Sequence, residues 1–320
     1  MSLKGRKTNL KTKLGKAKPL LGLILIIVVV SIISPNFLSK GNLLTVLRQT
    51  SINAIIAAGM TFVILTAGID LSVGSILGFS GAICAYLLTN GTNVFISFLA
   101  AILVGALFGL FNGVVITKGK VQPFIATLAT MILLRGATMV FTNGKPIAVK
   151  GESATRMLRY IARGEILGIP VAVIMMIIIF AICYHILHNT KYGRHIYAVG
   201  GNEQAALLSG VNTDRVKMLA YMISGILASI AGIIVLARLS SAQPTAGDGY
   251  ELDAIAAVVL GGTSLAGGQG AILGTIVGAL IIGILNNALN LLDVQSYYQM
   301  IVRAIVILIA VLLDRKDKNK

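Results

Sequence analysis

The stretch that decides the fold is residues 189–217, NTKYGRHIYAVGGNEQAALLSGVNTDRVK. These residues form a polar island in an apolar chain, because the runs on both sides of them are long and apolar enough to cross a bilayer. Hydrophobic residues make up 56% of the chain and charged residues 12%, whereas soluble domains carry about 25% charged residues. The composition predicts a polytopic membrane protein, with the polar island lying in water.

Apolar runs along the chain predict an all-α fold, a polytopic membrane bundle of about ten transmembrane helices. The first run is 19–33, and a long run at 43–88 must turn near 67–75, AGIDLSVGS, which makes two helices of it. An even number of spans puts both termini on one side of the membrane. The remaining predicted spans are 94–117, 123–141, 169–187, 218–236, 252–260, 271–289 and 297–313.

The basic residues predict the orientation of these spans. Seven of the 27 Lys and Arg residues lie in 1–18, with no acid among them, as expected for a cytoplasmic N-terminal tail. A cleaved signal peptide is the alternative, but no A-x-A-like site follows the first run. Starting inside, ten spans place 17 Lys and Arg in the cytoplasm and eight outside. The prediction is a transmembrane domain at 19–313 with a second cytoplasmic tail at 314–320 and an outer loop at 142–167.

Glycines spaced four apart predict close contacts between helices. The chain has 35 glycines, and small residues at this spacing let helix backbones approach closely in lipid. Two such ladders occur, at Gly105, Gly109 and Gly113 and at Gly270, Gly274 and Gly278. The two cysteines lie inside apolar runs and predict no disulfide.

A short helix is predicted inside the polar island, over NEQAALLSG at 202–210. Asn202 is a candidate N-cap, and Gly210 is a candidate stop residue after the apolar residues 205–208. An amphipathic connector on the membrane surface is the simpler interpretation of such a segment. The preceding GRHIYAVGGN contains paired glycines and positive charges that a simple connector does not require, which weakens that interpretation.

Several stretches make the chain recognisable. The island GRHIYAVGGNEQAALLSGVNTDRVK resembles the coupling-helix loop of sugar permeases in bacterial ATP-binding-cassette (ABC) importers. The stretch ARLSSAQPTAGDGYELDAIAAVVLGGTSLAGGQGAILG is similar to the ribose-transporting members of that family. The likeness continues in INAIIAAGMTFVILTAGIDLSVGSILGFSGA and KVQPFIATLATMILLRG, and it covers about 21–313. It implies a type II ABC importer-like permease, in the bacterial cytoplasmic (inner) membrane.

The resemblance also implies the partners. Two copies of the permease would form the pore, two cassette ATPases would dock on the cytoplasmic loops, and a periplasmic or surface-tethered binding protein would deliver a monosaccharide, with ribose favoured over another small sugar or sugar-like signal molecule. Membrane lipid is expected as a partner and nucleic acid is not. No Gly-Lys pair is followed by Ser or Thr, so the chain lacks a phosphate-binding P-loop. We expect no enzymatic activity and no cofactor in this chain, with ATP and Mg²⁺ bound in the partner ATPase.

By the same resemblance, residues of the polar island dock into the ATPase and convey its closure to the membrane spans by alternating access. Replacing Ala206 with Arg is expected to uncouple transport from ATP hydrolysis in a folded permease. The residues assigned to docking are Arg194, Tyr197, Gly200, Gly201, Asn202, Ala205, Ala206, Ser209 and Gly210.

The outer loop 142–167 is unusual in carrying five cations against two acids. Arg156, Arg159 and Arg163 are candidates for a docking platform that meets acidic residues of the binding protein. Solvated charge on a surface helix explains them equally well. The sequence leaves both interpretations open.

Inside the predicted spans, Asp70 is the one acid between Ile33 and Glu152. It either lies in a broken helix that lines a cavity or sits at the cytoplasmic turn between the second and third spans, where it caps the third helix. Run lengths favour the turn. A neutral sugar needs hydrogen-bonding groups along its route, although contacts between helices would also explain such groups. The candidate pathway residues are Asp70, Asn53, Asn112, Gln122, Thr127, Asn286, Asn287, Asn290 and Gln295.

Two other classes of membrane protein fit the sequence less well. An ion-coupled secondary transporter is expected to carry more intramembrane carboxylates than Asp70 alone. A membrane enzyme needs a nucleophile or metal constellation, and the sequence predicts neither. His185 and His188 have no evident third ligand and are expected at the membrane interface, not at a metal.

Overall fold

The computed structural model describes residues 19–318, with side chains described throughout except at 307 and 309–318. The predicted tail at 1–18 lies outside these residues. Thirteen helices run through the described chain, and four two-residue strands join them. The helices are α1 (Pro19–Ile33), α2 (Lys40–Leu65), α3 (Val73–Thr89), α4 (Val94–Thr117), α5 (Pro123–Thr142), α6 (Glu152–Arg163), α7 (Val171–Asn189), α8 (Lys191–Gly201), α9 (Glu203–Leu208), α10 (Thr213–Leu239), α11 (Tyr250–Leu260), α12 (Ile272–Leu291) and α13 (Ser296–Lys318).

Six of these helices are long and apolar enough to cross a membrane by length and composition, namely α2, α4, α5, α7, α10 and α12. Two shorter apolar helices, α1 and α3, accompany them. The all-α membrane fold is confirmed, and every predicted span corresponds to a helix. The count of ten crossings is not confirmed, because α11 has 11 residues and a spanning helix needs about 20. The last helix continues to Lys318 instead of ending at 313.

The predicted glycine ladder on α4 is confirmed as a close contact with α10. A methyl group added at Gly105 or Gly109 would collide with the α10 backbone, at Gly225 and Tyr221 respectively. Gly113 meets Met218 in the same way. The second ladder is confirmed in part: Gly274 and Gly278 pack against α11, whereas Gly270 precedes α12 and contacts Thr263.

The centre of the bundle is α2. From position 54 to position 65 of this helix every residue is buried, so the helix is surrounded by others on all sides. An apolar helix that is buried all round carries almost no amphipathic signal. This explains why the sequence shows a long run here and not a periodic one.

Two small antiparallel ribbons lie at one end of the bundle. Strand β1 (Ile147–Ala148) pairs with β4 (Ser241–Ala242), and β2 (Glu165–Ile166) pairs with β3 (Ile169–Pro170). Helix α6 lies between β1 and β2 in the chain, so we call this end of the bundle the α6 end. It carries the predicted outer loop.

The polar island lies at the other end, which we call the island end. Here α8 follows α7 directly, and the turn between α2 and α3 lies close to α8: the Leu65 carbonyl accepts a hydrogen bond from Gly268 N, and the same oxygen lies against Gly200. The loop between α11 and α12 therefore meets α2 and α8 at one place.

An irregular stretch, 243–249, separates β4 from α11. It runs alongside α3, where the backbone of Gly247 touches that of Gly74 and the Ala246 carbonyl lies against Gly78. Such contacts require glycine on α3, because a Cβ at Gly74 would overlap the Gly247 carbonyl. The chain between β4 and α12 therefore enters the bundle as an irregular stretch and becomes helical only at α11.

Candidate functional site

The polar island folds into two helices, α8 and α9, before α10 begins at Thr213. The predicted N-cap is confirmed, because the Asn202 side chain accepts a hydrogen bond from Ala205 N at 2.9 Å. Gly210 ends the helix with φ of +83°, and its N–H donates to the Leu207 carbonyl. The predicted short helix over 202–210 is therefore present, with α9 spanning Glu203–Leu208.

The nine residues assigned to ATPase docking divide by exposure. Tyr197 and Gly200 are partly buried, and Ala206 is buried at 5% exposure. Because Ala206 faces the protein and not the solvent, its replacement by Arg would disturb packing, and the expectation that this variant stays folded loses its basis. The six exposed residues are Arg194, Gly201, Asn202, Ala205, Ser209 and Gly210.

Two leucines on the exposed side of α9 are missing from the assigned set. Leu207 is 60% exposed and Leu208 is 90% exposed. Apolar side chains that project from a short surface helix are typical contact residues of an interface. Their presence in the apolar patch 205–208 was visible in the sequence, but the side of α9 on which each residue lies was not.

Gly200 lies at a junction of three backbone segments. A Cβ at this position would overlap the Leu65 carbonyl oxygen and would lie 2.5 Å from Gly268 N. Gly268 N donates to that same carbonyl at 2.9 Å, and Gly267 packs against Ala67. The end of α8, the end of α2 and the loop before α12 are thus in direct backbone contact.

Tyr197 strengthens this junction. Its hydroxyl donates to the Gly270 carbonyl at 3.1 Å, which ties α8 to the loop before α12. Burial raises the pKa of Tyr197 above its usual value, so the hydroxyl keeps its proton and remains a donor. Tyr197 thus contributes to the inside of the protein more than to its surface.

A cavity of about 960 Å³ lies beside α9 at the island end. Its wall includes Gln122, Glu203 and Lys217, and the last two form an ion pair at 2.6 Å. Gln122, one of the candidate pathway residues, is therefore exposed at this end and not inside the bundle. The cavity joins the surface of α9 to the connection between α4 and α5.

Asp70 is fully buried in the turn between α2 and α3. Its Oδ1 accepts hydrogen bonds from Ser72 N at 3.0 Å and Ser72 Oγ at 2.6 Å, and its Oδ2 accepts from Ser224 Oγ at 2.9 Å. Protein groups therefore occupy both carboxylate oxygens. The structure favours the predicted turn over a cavity-lining position.

The hydrogen-bonded group around Asp70 includes two more candidate pathway residues. Asn112 Nδ2 donates to Ser72 Oγ at 2.8 Å, and Thr127 Oγ1 lies 3.4 Å from the Ile69 carbonyl. Both residues are buried. These contacts tie α2, α3, α4, α5 and α10 together, which is the structural role that the sequence left open for such residues.

The remaining pathway candidates lie elsewhere. Asn53 and Asn286 converge on Asp253 Oδ2, at 3.4 and 3.5 Å. Asn287 exchanges two hydrogen bonds with Asn42, at 2.8 and 3.0 Å. The structure thus separates the predicted pathway residues into several groups and does not align them along one route. Asn290, whose Oδ1 accepts from Gln299, and Gln295 are exposed towards the α6 end.

The charged residues of α11 and of the stretch before it are not among the residues predicted from the sequence. Asp253 is 3% exposed, lies 3.7 Å from Arg303 and belongs to the middle of the bundle. Glu251 is 7% exposed and its Oε2 has no hydrogen-bond partner. Asp248 pairs with Arg135 at 3.4 Å. Asp70 is therefore one of several carboxylates inside the bundle, which weakens the argument against ion coupling that rested on Asp70 alone.

The three outer arginines lie on the exposed side of α6. Ala154, Leu158 and Ile161 face the bundle, so the arginines project away from it. Arg156 pairs with Glu152 one turn earlier, at 2.7 Å. Both interpretations of Arg156, Arg159 and Arg163, a docking platform and solvated charge, remain compatible with this arrangement. Among the described residues no group of His, Cys, Asp and Glu is arranged to hold a metal.

Residues 42–311 match the family described as branched-chain amino acid transport system / permease component. The ribose import permease protein of Escherichia coli strain K12 is 54% identical over 317 residues, which are 99% of each chain. That of Haemophilus influenzae strain Rd is 57% identical over 294 residues, 92% of this chain and 91% of the relative. That of Bacillus subtilis strain 168 is 55% identical over 301 residues, 94% and 93%. No solved structure matches the chain.

Proposed function

The chain belongs to the family of branched-chain amino acid transport system permease components, and from this membership we propose that it is the membrane-spanning permease of an ATP-driven importer for a monosaccharide, with ribose as the favoured sugar. The observation that carries the proposal is the likeness to ribose import permeases over nearly the whole length of both chains. The chain is a transport subunit and not an enzyme.

The partners follow from this function. A cassette ATPase supplies the energy, with ATP and Mg²⁺ bound in that subunit, and a periplasmic or surface-tethered binding protein delivers the sugar. A second copy of the chain completes the pore within the lipid of the bacterial inner membrane. The exposed leucines of α9 and the cationic outer face of α6 support two separate docking surfaces, at opposite ends of the bundle.

We propose that the island end is cytoplasmic. The excess of Lys and Arg at the predicted cytoplasmic segments supports this orientation, and it puts both termini, at 1–18 and 314–320, in the cytoplasm. The membrane domain is then 19–313, with the coupling loop at 189–217 and the outer loop at 142–167.

Coupling then starts at α9. The ATPase holds α9 by its exposed surface, which includes Leu207 and Leu208, and moves it when the two ATPase subunits close. Because Gly200 contacts the ends of α2 and of the α11–α12 loop directly, movement of α8 and α9 displaces both elements. Alternating access driven by a rigid-body displacement needs such a contact.

The test is reconstitution. Proteoliposomes that contain the permease, the ATPase and the binding protein are expected to accumulate labelled ribose only when ATP is present on the ATPase side. A collapsed proton and sodium gradient is the control, and it should leave uptake unchanged. Uptake that needs an ion gradient and no ATPase would instead identify an ion-coupled secondary transporter and contradict the proposal. Competition by other monosaccharides then identifies the sugar.

A further inference from the structure

The stretch 243–249 carries a charged side chain that is exposed although it lies far from the α6 end of the bundle. Asp248 is 82% exposed. Its neighbour Gly247 touches Gly74 near the start of α3, while the other end of α3, at Thr89, donates a hydrogen bond to Ala148 at the α6 end. At 1.5 Å per residue, Gly74 is about 22 Å along α3 from Thr89.

A depth of this size is well inside the hydrocarbon layer, which is about 30 Å thick. An acid that faces lipid at such a depth is strongly disfavoured. Irregular backbone at membrane depth is tolerated where it is buried in protein or lines a water-filled cavity. Asp248 is not buried in the chain, so water is the environment that fits it.

Two further charged groups lie next to Asp248. Arg135, on α5, donates from Nη1 to the Ala246 carbonyl at 2.7 Å and reaches Asp248 with Nη2 at 3.4 Å. Glu251, at the start of α11, is almost fully buried, and its Oε2 lacks a hydrogen-bond partner. The Arg135 pair with Asp248 is loose and leaves donor and acceptor positions free.

We propose that Arg135 and Asp248 line the aqueous route of the substrate through the membrane and, with the buried Glu251 behind them, form a polar subsite for a neutral, polyhydroxylated molecule such as a pentose. Carboxylate and guanidinium groups accept from and donate to neighbouring hydroxyls, and the opposite charges of Arg135 and Asp248 offset each other. This inference rests on the proposed function for the identity of the substrate. In the two-copy assembly, the second copy would close this open face into a channel.

The two native cysteines make the test clean, because Cys84 and Cys183 are both buried. The Asp248→Cys variant of the complete complex in proteoliposomes is treated with a charged, membrane-impermeant thiol reagent on both sides. The control is Leu133→Cys. Leu133 is exposed on α5. It points away from Arg135, because residues two positions apart in a helix are about 200° apart around its axis.

The thiol at position 248 is expected to react at least about tenfold faster than the thiol at 133, because hydrated thiolate is the reactive form. Ribose at millimolar concentration is expected to slow the reaction at 248. Equal, slow reaction at both positions would overturn the inference, because it would show that Asp248 faces lipid or a dry contact with the second copy.

A second variant keeps shape and removes charge. Asp248→Asn is expected to lower kcat/KM for ribose uptake by roughly tenfold, the loss expected when a charged hydrogen-bond partner of the substrate is removed. Unchanged uptake, together with no protection by ribose, would overturn the subsite. Absence of ribose uptake by the unmodified complex contradicts the proposed function, whereas slow labelling at 248 in a complex that takes up ribose contradicts this inference alone.

Discussion

The Cα of Gly200, near the end of α8, lies against the carbonyl oxygen of Leu65, the last residue of α2. No residue with a side chain fits at position 200 while that carbonyl stays in place. The same oxygen accepts the hydrogen bond from Gly268. The contact joins the polar island to the central helix of the bundle through backbone atoms. A displacement of α8 therefore moves the end of α2 directly, because no flexible side chain lies between them.

The first prediction concerns this contact. Gly200→Ala must push α8 away from α2, at a cost of about 1–3 kcal/mol for overpacking. We expect fewer ribose molecules imported per ATP hydrolysed, measured as uptake and phosphate release in the same proteoliposomes. Gly201→Ala is the matched control, because a methyl group there meets no atom within 4 Å. A Gly200→Ala permease with normal stoichiometry would show that the contact does not convey the movement.

The second prediction concerns the surface of α9. Leu208→Glu places a charge on a side chain that is 90% exposed, so the stability of the permease should change by less than about 0.5 kcal/mol. Binding of the ATPase should nevertheless fall strongly, as measured by its co-purification. Ala206→Arg is expected to behave differently, with a lower melting temperature, because that side chain is buried. Full retention of the ATPase by Leu208→Glu would place the docking surface elsewhere.

The third prediction concerns the buried hydrogen bonds of Asp70. Asp70→Ala leaves the donors on Ser72 and Ser224 without their acceptor in the interior, which costs about 1–3 kcal/mol for each unsatisfied group. We expect a clear fall in the melting temperature of the purified permease in detergent. Gln295→Ala, at an exposed position, serves as the control and should melt normally. Equal melting temperatures would mean that these bonds contribute no net stability.

The fourth prediction concerns the outer face of α6. Replacing Arg156, Arg159 and Arg163 by Ala should slow association of the binding protein and flatten its dependence on salt, because steering by exposed charge is screened within about 10 Å at 0.1 M salt. Association rates at several salt concentrations provide the measurement. Lys145→Ala with Lys150→Ala removes charge from the same loop outside α6 and should have the smaller effect. Identical rates for all forms would identify the arginines as solvated charge.

Local features of the sequence predicted local features of the structure. The Asn202 cap, the stop at Gly210 and the spacing of the α4 glycines each depend on residues within a few positions of one another, and each is confirmed. The membrane fold followed from composition. The cap and the stop are short-range signals, whereas the glycine spacing predicts a close helix contact without identifying the partner helix.

Glu251 and Asp253 could not be predicted as buried polar residues from the sequence, because their surroundings come from far along the chain. Asp253 meets Asn53, Asn286 and Arg303, which lie on three other helices. The inward position of Ala206 has a similar cause, since the side of α9 that faces the bundle depends on how α8 and α10 hold it. The sequence pattern identifies such residues as polar or apolar, but it does not predict their tertiary contacts.

The interlocked backbones of α4 and α10 restrict how the bundle moves. With Gly105, Gly109 and Gly113 all seated against α10, one helix cannot slide along the other without lifting out of contact. Asn112 on α4 donates to Ser72, and Ser224 on α10 donates to Asp70, so both helices are also tied to the turn between α2 and α3. We therefore expect the two helices to behave as one rigid unit in the transport cycle, with displacement between them and the helices that pack around them.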